Sequence, residues 1–208
     1  MTLTRTSQIR RSLKQYVVTL IVAWIGVDDK KKGKEISSLY IASDSRYSAG
    51  SRDKFDFGIK VFGASKYPEI FGFCGDVLFP SIILGQIIPQ IDNGILLNPS
   101  DNCDQKTQKI FNYIKTSLEK YPASFLGGSF TILHGTRYEK TFKLFKFVYT
   151  KKEGIKLEEI TLGNISTKVY RMAQELKSLM KIGLKSGTII NIMIIELAVR
   201  FIIAYIKP

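Results

Sequence analysis

Hydrophobic and polar positions along this chain alternate between two periods, and the order of the segments is informative. Residues 16–27 are almost all apolar and rich in β-branched side chains, the composition of a strand buried on both faces. A polar segment at 28–38 follows, with Gly33 inside a lysine cluster as a turn signal, and a second strand is predicted at 39–43. Residues 57–63 and 69–73 predict another strand pair, joined by a short turn containing Pro68.

The period then changes. Residues 76–91 read as a helix, with Asp76 suited to its start and Pro80 within its first turns. Residues 104–120 read as a second helix, with Ile110, Phe111, Ile114 and Leu118 on one face and Tyr121-Pro122 as its stop. Strands return at 129–134, 141–150 and 155–162, the last two joined by a hairpin turn at 151–154. A helix is predicted over 168–182, where Val169, Met172, Ala173, Leu176, Leu179 and Met180 recur at helical spacing. The apolar run 189–206 reads as a further, core-packed helix. Glu196 and Arg200 interrupt it as an i,i+4 pair, which is costly at mid-bilayer and argues against a membrane span.

Strands grouped around paired helices argue against alternating βαβ units. The order predicts an α+β fold, a four-layer αββα sandwich of two stacked antiparallel sheets with helices outside each. There is no internal repeat or linker, and 208 residues suffice for one sizeable core. The expected organisation is a basic leader at 1–18 and one domain over 19–208.

Composition narrows the chemistry. The net charge of +13 raises nucleic-acid binding, but the cations are mostly lysines scattered along the chain, without a recognition-helix or RNP-type pattern. A lysine-rich solvated surface is the reading taken, with no specific nucleic-acid partner. Residues 1–15, with Arg5, Arg10, Arg11 and Lys14 ahead of the apolar run, resemble the start of a signal peptide. No small-residue cleavage site follows, so a strand and a cytoplasmic location are expected. Two cysteines, Cys74 and Cys103, and the lone His134 supply neither a disulfide framework nor a metal-ligand set, and no cofactor is expected.

The densest chemical signal lies between Thr19 and Asp76. It comprises Thr19-Leu20-Ile21-Val22, Tyr40-Ile41-Ala42-Ser43-Asp44-Ser45-Arg46, Gly58-Ile59-Lys60-Val61 and Gly72-Phe73-Cys74-Gly75-Asp76. This stretch resembles the first half of proteasome β subunits and of the HslV-type peptidases, N-terminal-nucleophile hydrolases that begin with a threonine on a strand. The lysine sixteen residues after the aspartate is part of that resemblance. It covers about sixty residues; beyond residue 77 only the order of elements agrees, and residues from about 167 to 208 diverge.

The resemblance implies a set of roles. Thr19 would be the nucleophile, its own free α-amine the base, Lys60 the activator and Asp44 the group that orients the lysine. Gly75 would donate a backbone N–H to the oxyanion, a contribution of about 3–4 kcal/mol for one donor. Gly163-Asn164-Ile165-Ser166 stands where the family has a GSG-like turn after its central hairpins, which would make Ser166 a further catalytic-site residue. Arg46 matches a position of the motif, Ser48 falls where the family binds substrate backbone, and Phe73 would line an apolar pocket. The implied activity is cleavage of amide bonds in a peptide or other amide, in a homo-oligomer of ring type. A threonine hydroxyl needs its amine free, and here Val18 stands where self-maturing members have glycine. The alternative is an inactive structural subunit with the leader uncut.

Overall fold

Gly72 and Gly135 show how closely two sheets meet in this protein. The computed structural model describes residues 20–28, 35–49, 53–162, 168–171 and 201–206. The central layer is a five-stranded antiparallel sheet formed by β5 (Val61–Gly63), β6 (Glu69–Gly75), β7 (Phe130–Tyr138), β8 (Thr141–Thr150) and β9 (Gly154–Ile160), in that spatial order. Because successive side chains on a strand point to opposite faces, each face collects its own core. Phe71, Phe73, Phe130, Ile132, Phe145 and Phe147 point to one face. Ile70, Cys74, Leu133 and Leu144 point to the other.

The first of these faces carries the helices. Helix α1 (Leu78–Asp92) buries Phe79, Ile83, Leu84, Ile87 and Ile91 there, and α2 (Cys103–Lys120) adds Ile110 and Ile114. Asp76 does not sit inside α1 but just ahead of it, where its Oδ1 accepts from the Leu78 N–H at 3.0 Å. Pro80 occupies the first turn, where its missing N–H costs nothing. Helix α2 starts with a reciprocal capping box: the Gln105 N–H donates to Asn102 Oδ1, and the Asn102 N–H donates to Gln105 Oε1, both at 2.9 Å.

The second face packs on another antiparallel sheet. It consists of β1 (Leu20–Asp28), β2 (Glu35–Asp44), β10 (Lys168–Arg171) and β11 (Phe201–Ile206), in the order β10-β1-β2-β11. Ile21, Ala23, Leu39 and Ile41 fill the space between the sheets. A Cβ at Gly72 would lie 2.6 Å from Ile21 Cδ1 and 2.7 Å from Ile41 Cγ2, and one at Gly135 would lie 2.6 Å from Leu39 Cδ2. Both glycines therefore let the β1–β2 side chains reach the backbone of the central sheet.

A short hairpin, β3 (Tyr47–Ala49) with β4 (Asp53–Phe55), projects after β2. It went unpredicted, because three-residue strands are too short to show a period.

The layers differ from the expected four-layer αββα arrangement. Among the described residues there are two α-helices, both on the outer face of the five-stranded sheet, giving helices, sheet and sheet in three layers. The helix expected over 168–182 begins instead with β10, hydrogen-bonded to β1, and the end of the helix expected over 189–206 is β11, paired with β2. Unpaired strand edges drew these segments into the sheet, and short apolar runs do not reveal by period alone which structure they adopt. The rest of both segments lies outside the described residues. Among the described residues no helix is long and apolar enough to cross a membrane.

Replacing Gly72 with valine should overpack this interface. We expect a loss of about 1–3 kcal/mol, read as a lower denaturation midpoint with an unchanged slope in urea.

Candidate functional site

Lys60 is the place where the chain defies its own composition. Lysines are almost never fully buried unless paired, yet this side chain is only 1% exposed. It lies just before β5 and is held to β6 by the Phe73 N–H, which donates to the Lys60 carbonyl at 3.0 Å. Its Nζ donates to Asp44 Oδ2 at 2.9 Å, forming an ion pair with the last residue of β2. A second short hydrogen bond runs from Nζ to the Arg46 carbonyl. The ammonium also lies over the Tyr47 ring, 5.6 Å from its centre.

Burial pushes the Lys60 pKa below its ordinary value of 10.5, and the nearby Asp44 carboxylate offsets part of that. Cys74 on β6 faces the same environment. Burial pushes its thiol up to about 12, against the pull of the Lys60 ammonium. Cys74 is thus a thiol and not a thiolate, an unsuitable nucleophile.

The segment that carries Asp44 is tightly clasped. The Arg46 N–H donates to Asp44 Oδ2 at 3.2 Å, turning the carboxylate toward Lys60. The Arg46 guanidinium makes a two-pronged pair with Asp56, through Nε to Oδ1 and through Nη2 to Oδ2 at 3.2 Å. Asp56 raises the Arg46 pKa above its ordinary value in return. Ser45 is buried and its Oγ donates to the Asp56 carbonyl at 2.8 Å, while the Gly58 N–H donates to the Ser45 carbonyl at 2.8 Å.

The structure brings Asp44, Arg46 and Lys60 together as one hydrogen-bonded unit. Gly75 closes β6 at the same end of the protein with φ of 94°, a left-handed conformation that suits glycine. The turn around it is fixed by Asp76, whose N–H donates to the Ser129 carbonyl at 2.9 Å and whose Oδ2 accepts from the Gly128 N–H at 3.0 Å. Phe73 is wholly buried, its ring beside those of Tyr47 and Phe62. Ser48 takes its place in β3 opposite Lys54. Thr19 and Ser166 lie outside the described residues. The described chain begins with Leu20, at the end of the β1–β2 pair where Ile21 faces Ser43 and β2 finishes with Asp44.

Sequence reasoning missed Asp56 and Tyr47. Pairing the two aromatic-rich stretches as a hairpin would have placed both beside Arg46 and Lys60. It also missed an exposed apolar surface, since Phe55, Phe57 and Ile59 are all more than half exposed within this segment. Among the described residues no group of three His, Cys, Asp or Glu side chains is arranged to hold a metal ion.

The lowered pKa of Lys60 has a signed consequence for stability. Between the folded value and 10.5 the unfolded chain binds more protons than the folded one, so the contribution of Lys60 to stability rises with pH. It is complete above 10.5 and lost as pH falls through the folded value. We expect wild-type protein to gain stability relative to Lys60→Met as pH rises toward 10.5, measured as the difference in urea midpoint across a pH series.

No family model matches the chain, and no curated protein matches its sequence. Solved structures do match. The Anbu complex of Pseudomonas aeruginosa, solved as a helical assembly, aligns with a TM-score of 0.56 at 12% identity, over 91% of this chain and 81% of that one. A Gly-1 mutant of Anbu from Hyphomicrobium sp. strain MC1 aligns with a TM-score of 0.54 at 11% identity, over 82% and 67%. Anbu of Yersinia bercovieri, described as an ancestral β-subunit, aligns with a TM-score of 0.52 at 14% identity, over 80% and 66%. This chain thus spans about two thirds of the length of the last two. Anbu is a proteasome-like relative of the N-terminal-nucleophile hydrolases, and at such low identity the likeness is one of fold: the chain has a proteasome-like fold.

Proposed function

We propose that this protein is a proteasome-like threonine peptidase or amidohydrolase, with Thr19 as nucleophile once the preceding residues are removed. The observation that carries the reading is the pair of buried Lys60 with partly buried Asp44 at the end of the sheet where β1 begins. An ammonium held in a nearly dry site lowers the pKa of neighbouring proton-bearing groups, which is what a threonine and its amine need near neutral pH.

The reaction would run in two halves. The Thr19 hydroxyl adds to the substrate carbonyl while its proton passes to the Thr19 amine. The Gly75 N–H steadies the oxyanion, and collapse expels the amine product, which takes up that proton and leaves an ester on Thr19. Water, activated by the same amine, then releases the acid product and restores the hydroxyl. Arg46 and Asp44 hold Lys60 in this reading, Ser48 belongs to the substrate side and Ser166 stands as a further catalytic-site residue; Phe73, wholly buried, does not line an open pocket. A second reading rests on Val18: a β-branched residue before Thr19 crowds self-cleavage and favours an inactive structural subunit that keeps the fold.

N-terminal sequencing and intact mass, combined with a peptide-hydrolysis screen, separate the two. Catalysis predicts a chain beginning at Thr19. Thr19→Ala should then remove hydrolysis by a factor on the order of 10⁴ or more, and Lys60→Ala by about 10²–10⁴. Hydrolysis that survives Thr19→Ala rules out the assigned nucleophile, and a retained leader with no hydrolysis supports the structural subunit.

We also propose that copies associate, as the helical assembly of P. aeruginosa Anbu suggests. Helix α1 carries no charged side chain before Asp92, although the chain is strongly basic, and its outer stripe runs through Leu78, Ile82, Gly85 and Pro89. Leu78 and Ile82 are 48% and 42% exposed, and a Cβ at Gly85 would meet nothing within 4 Å. An uncharged, closely approachable stripe lets like-charged copies meet without repulsion. Ile82→Lys should reduce the mass measured by light scattering; an unchanged mass would place the contact elsewhere.

A further inference from the structure

We infer that Asp56 is a positioning residue of the candidate site, acting through the Arg46 backbone to hold the Lys60 ammonium in place. This rests on the reading of Lys60 as the activator of Thr19, but the geometry stands apart from it. Lys60 Nζ donates to oxygen acceptors of different kinds, among them the Asp44 carboxylate and the Arg46 carbonyl. The carboxylate is anchored by its own strand and by the Arg46 N–H. The carbonyl lies between β2 and β3, in a two-residue segment outside either strand, so something else must fix its direction.

Asp56 supplies that fixing from the turn after β4. Its carboxylate grips the Arg46 side chain with two parallel hydrogen bonds, and its carbonyl accepts from the preceding residue's hydroxyl, Ser45 Oγ. The Gly58 N–H to Ser45 carbonyl bond completes the clasp. Ser45 and Arg46 are thereby tied to Asp56 and Gly58, and the Arg46 carbonyl is left facing Lys60. Two-pronged arginine–carboxylate pairs are geometrically specific as well as attractive. Both partners are more than one third exposed, so the pair's direct contribution to stability is small. Its consequence is directional.

The charges around Lys60 set the sign of the effect. Among the described residues, Asp44 from β2 favours the ammonium, Arg46 opposes it, and Cys74 from β6 and the Tyr47 ring of β3 also lie near it. In Asp56→Asn the arginine loses its counter-charge and its carbonyl loses its anchor. Both changes disfavour the ammonium, so the Lys60 pKa should fall further below 10.5.

The experiment is an NMR titration of the Lys60 side chain in the full-length protein carrying Asp56→Asn, Asp56→Glu or Ser45→Ala. Asp56→Asn is expected to lower the Lys60 pKa by about half a unit or more, and Asp56→Glu to restore it in part. Ser45→Ala loosens the same clasp without altering a charge and should shift the value in the same direction. If hydrolysis is found, its pH profile should move with Lys60, with kcat reduced more than KM changes. A Lys60 pKa unmoved in both Asp56→Asn and Ser45→Ala overturns the assignment, whatever happens to hydrolysis. If wild-type protein hydrolyses nothing, the nucleophile reading fails while the titration still decides the role of Asp56.

Discussion

An ammonium group taken from water into a protein interior loses hydration worth several kcal/mol even after relaxation, and only well-aimed acceptors can offset it. At Lys60 these acceptors come from separate parts of the chain: Asp44 at the end of β2 and the Arg46 carbonyl beyond it. The end of the outer sheet, the β3–β4 hairpin and the start of the central sheet must therefore converge on one point. Removing Asp44 alone would leave an uncompensated buried charge, which is why this corner acts as a unit. The same convergence underlies the proposed chemistry, because an ammonium in a nearly dry setting acts strongly on whatever lies beside it.

The opposite end of β6 carries a second buried polar network, with a structural part to play. Glu69 is fully buried and accepts from Lys106 Nζ at 2.9 Å and from Thr136 Oγ1 at 2.9 Å, and it lies 2.7 Å from His134 Nε2. His134 Nδ1 in turn lies 3.2 Å from Thr107 Oγ1. Lys106 and Thr107 belong to α2, so the network ties that helix to β6 and β7. The order of hydroxyl, imidazole and carboxylate resembles a hydrolytic triad, but Thr107 and His134 are both buried and closed to substrate. A single seven-residue strand is thus pinned at Glu69 by one charged network and ends at Gly75 beside another. That rigidity suits the site proposed around Gly75 and Lys60.

Much of the fold was legible where period and capping agreed. The amphipathic face of α2 and the stop at Tyr121-Pro122 are written locally, as are the hairpin at Gly154, with φ of 71°, and the strands flanking it. Where helical spacing and strand composition coincided, the sequence was ambiguous, and residues 168–171 and 201–206 went to the sheet because β1 and β2 offered unpaired edges. Among the described residues, helices therefore cover one face of the sandwich only. The alternation that sends Phe71 and Phe73 to the helices and Ile70 and Cys74 to the outer sheet was equally invisible in a run of seven residues, six of them buried.

By itself the sequence determined which residue types could meet: an aspartate at the end of one apolar run, a lysine sixteen positions on within the next, and a glycine just after the strand that follows. Those spacings are local facts of chain length and survive any packing. Tertiary structure alone decided that Lys60 would be dry, that its second acceptor would be a backbone carbonyl and that Asp56 would aim it. Burial and hydrogen-bond direction depend on how sheets and turns approach one another in space, and no one-dimensional pattern carries that information.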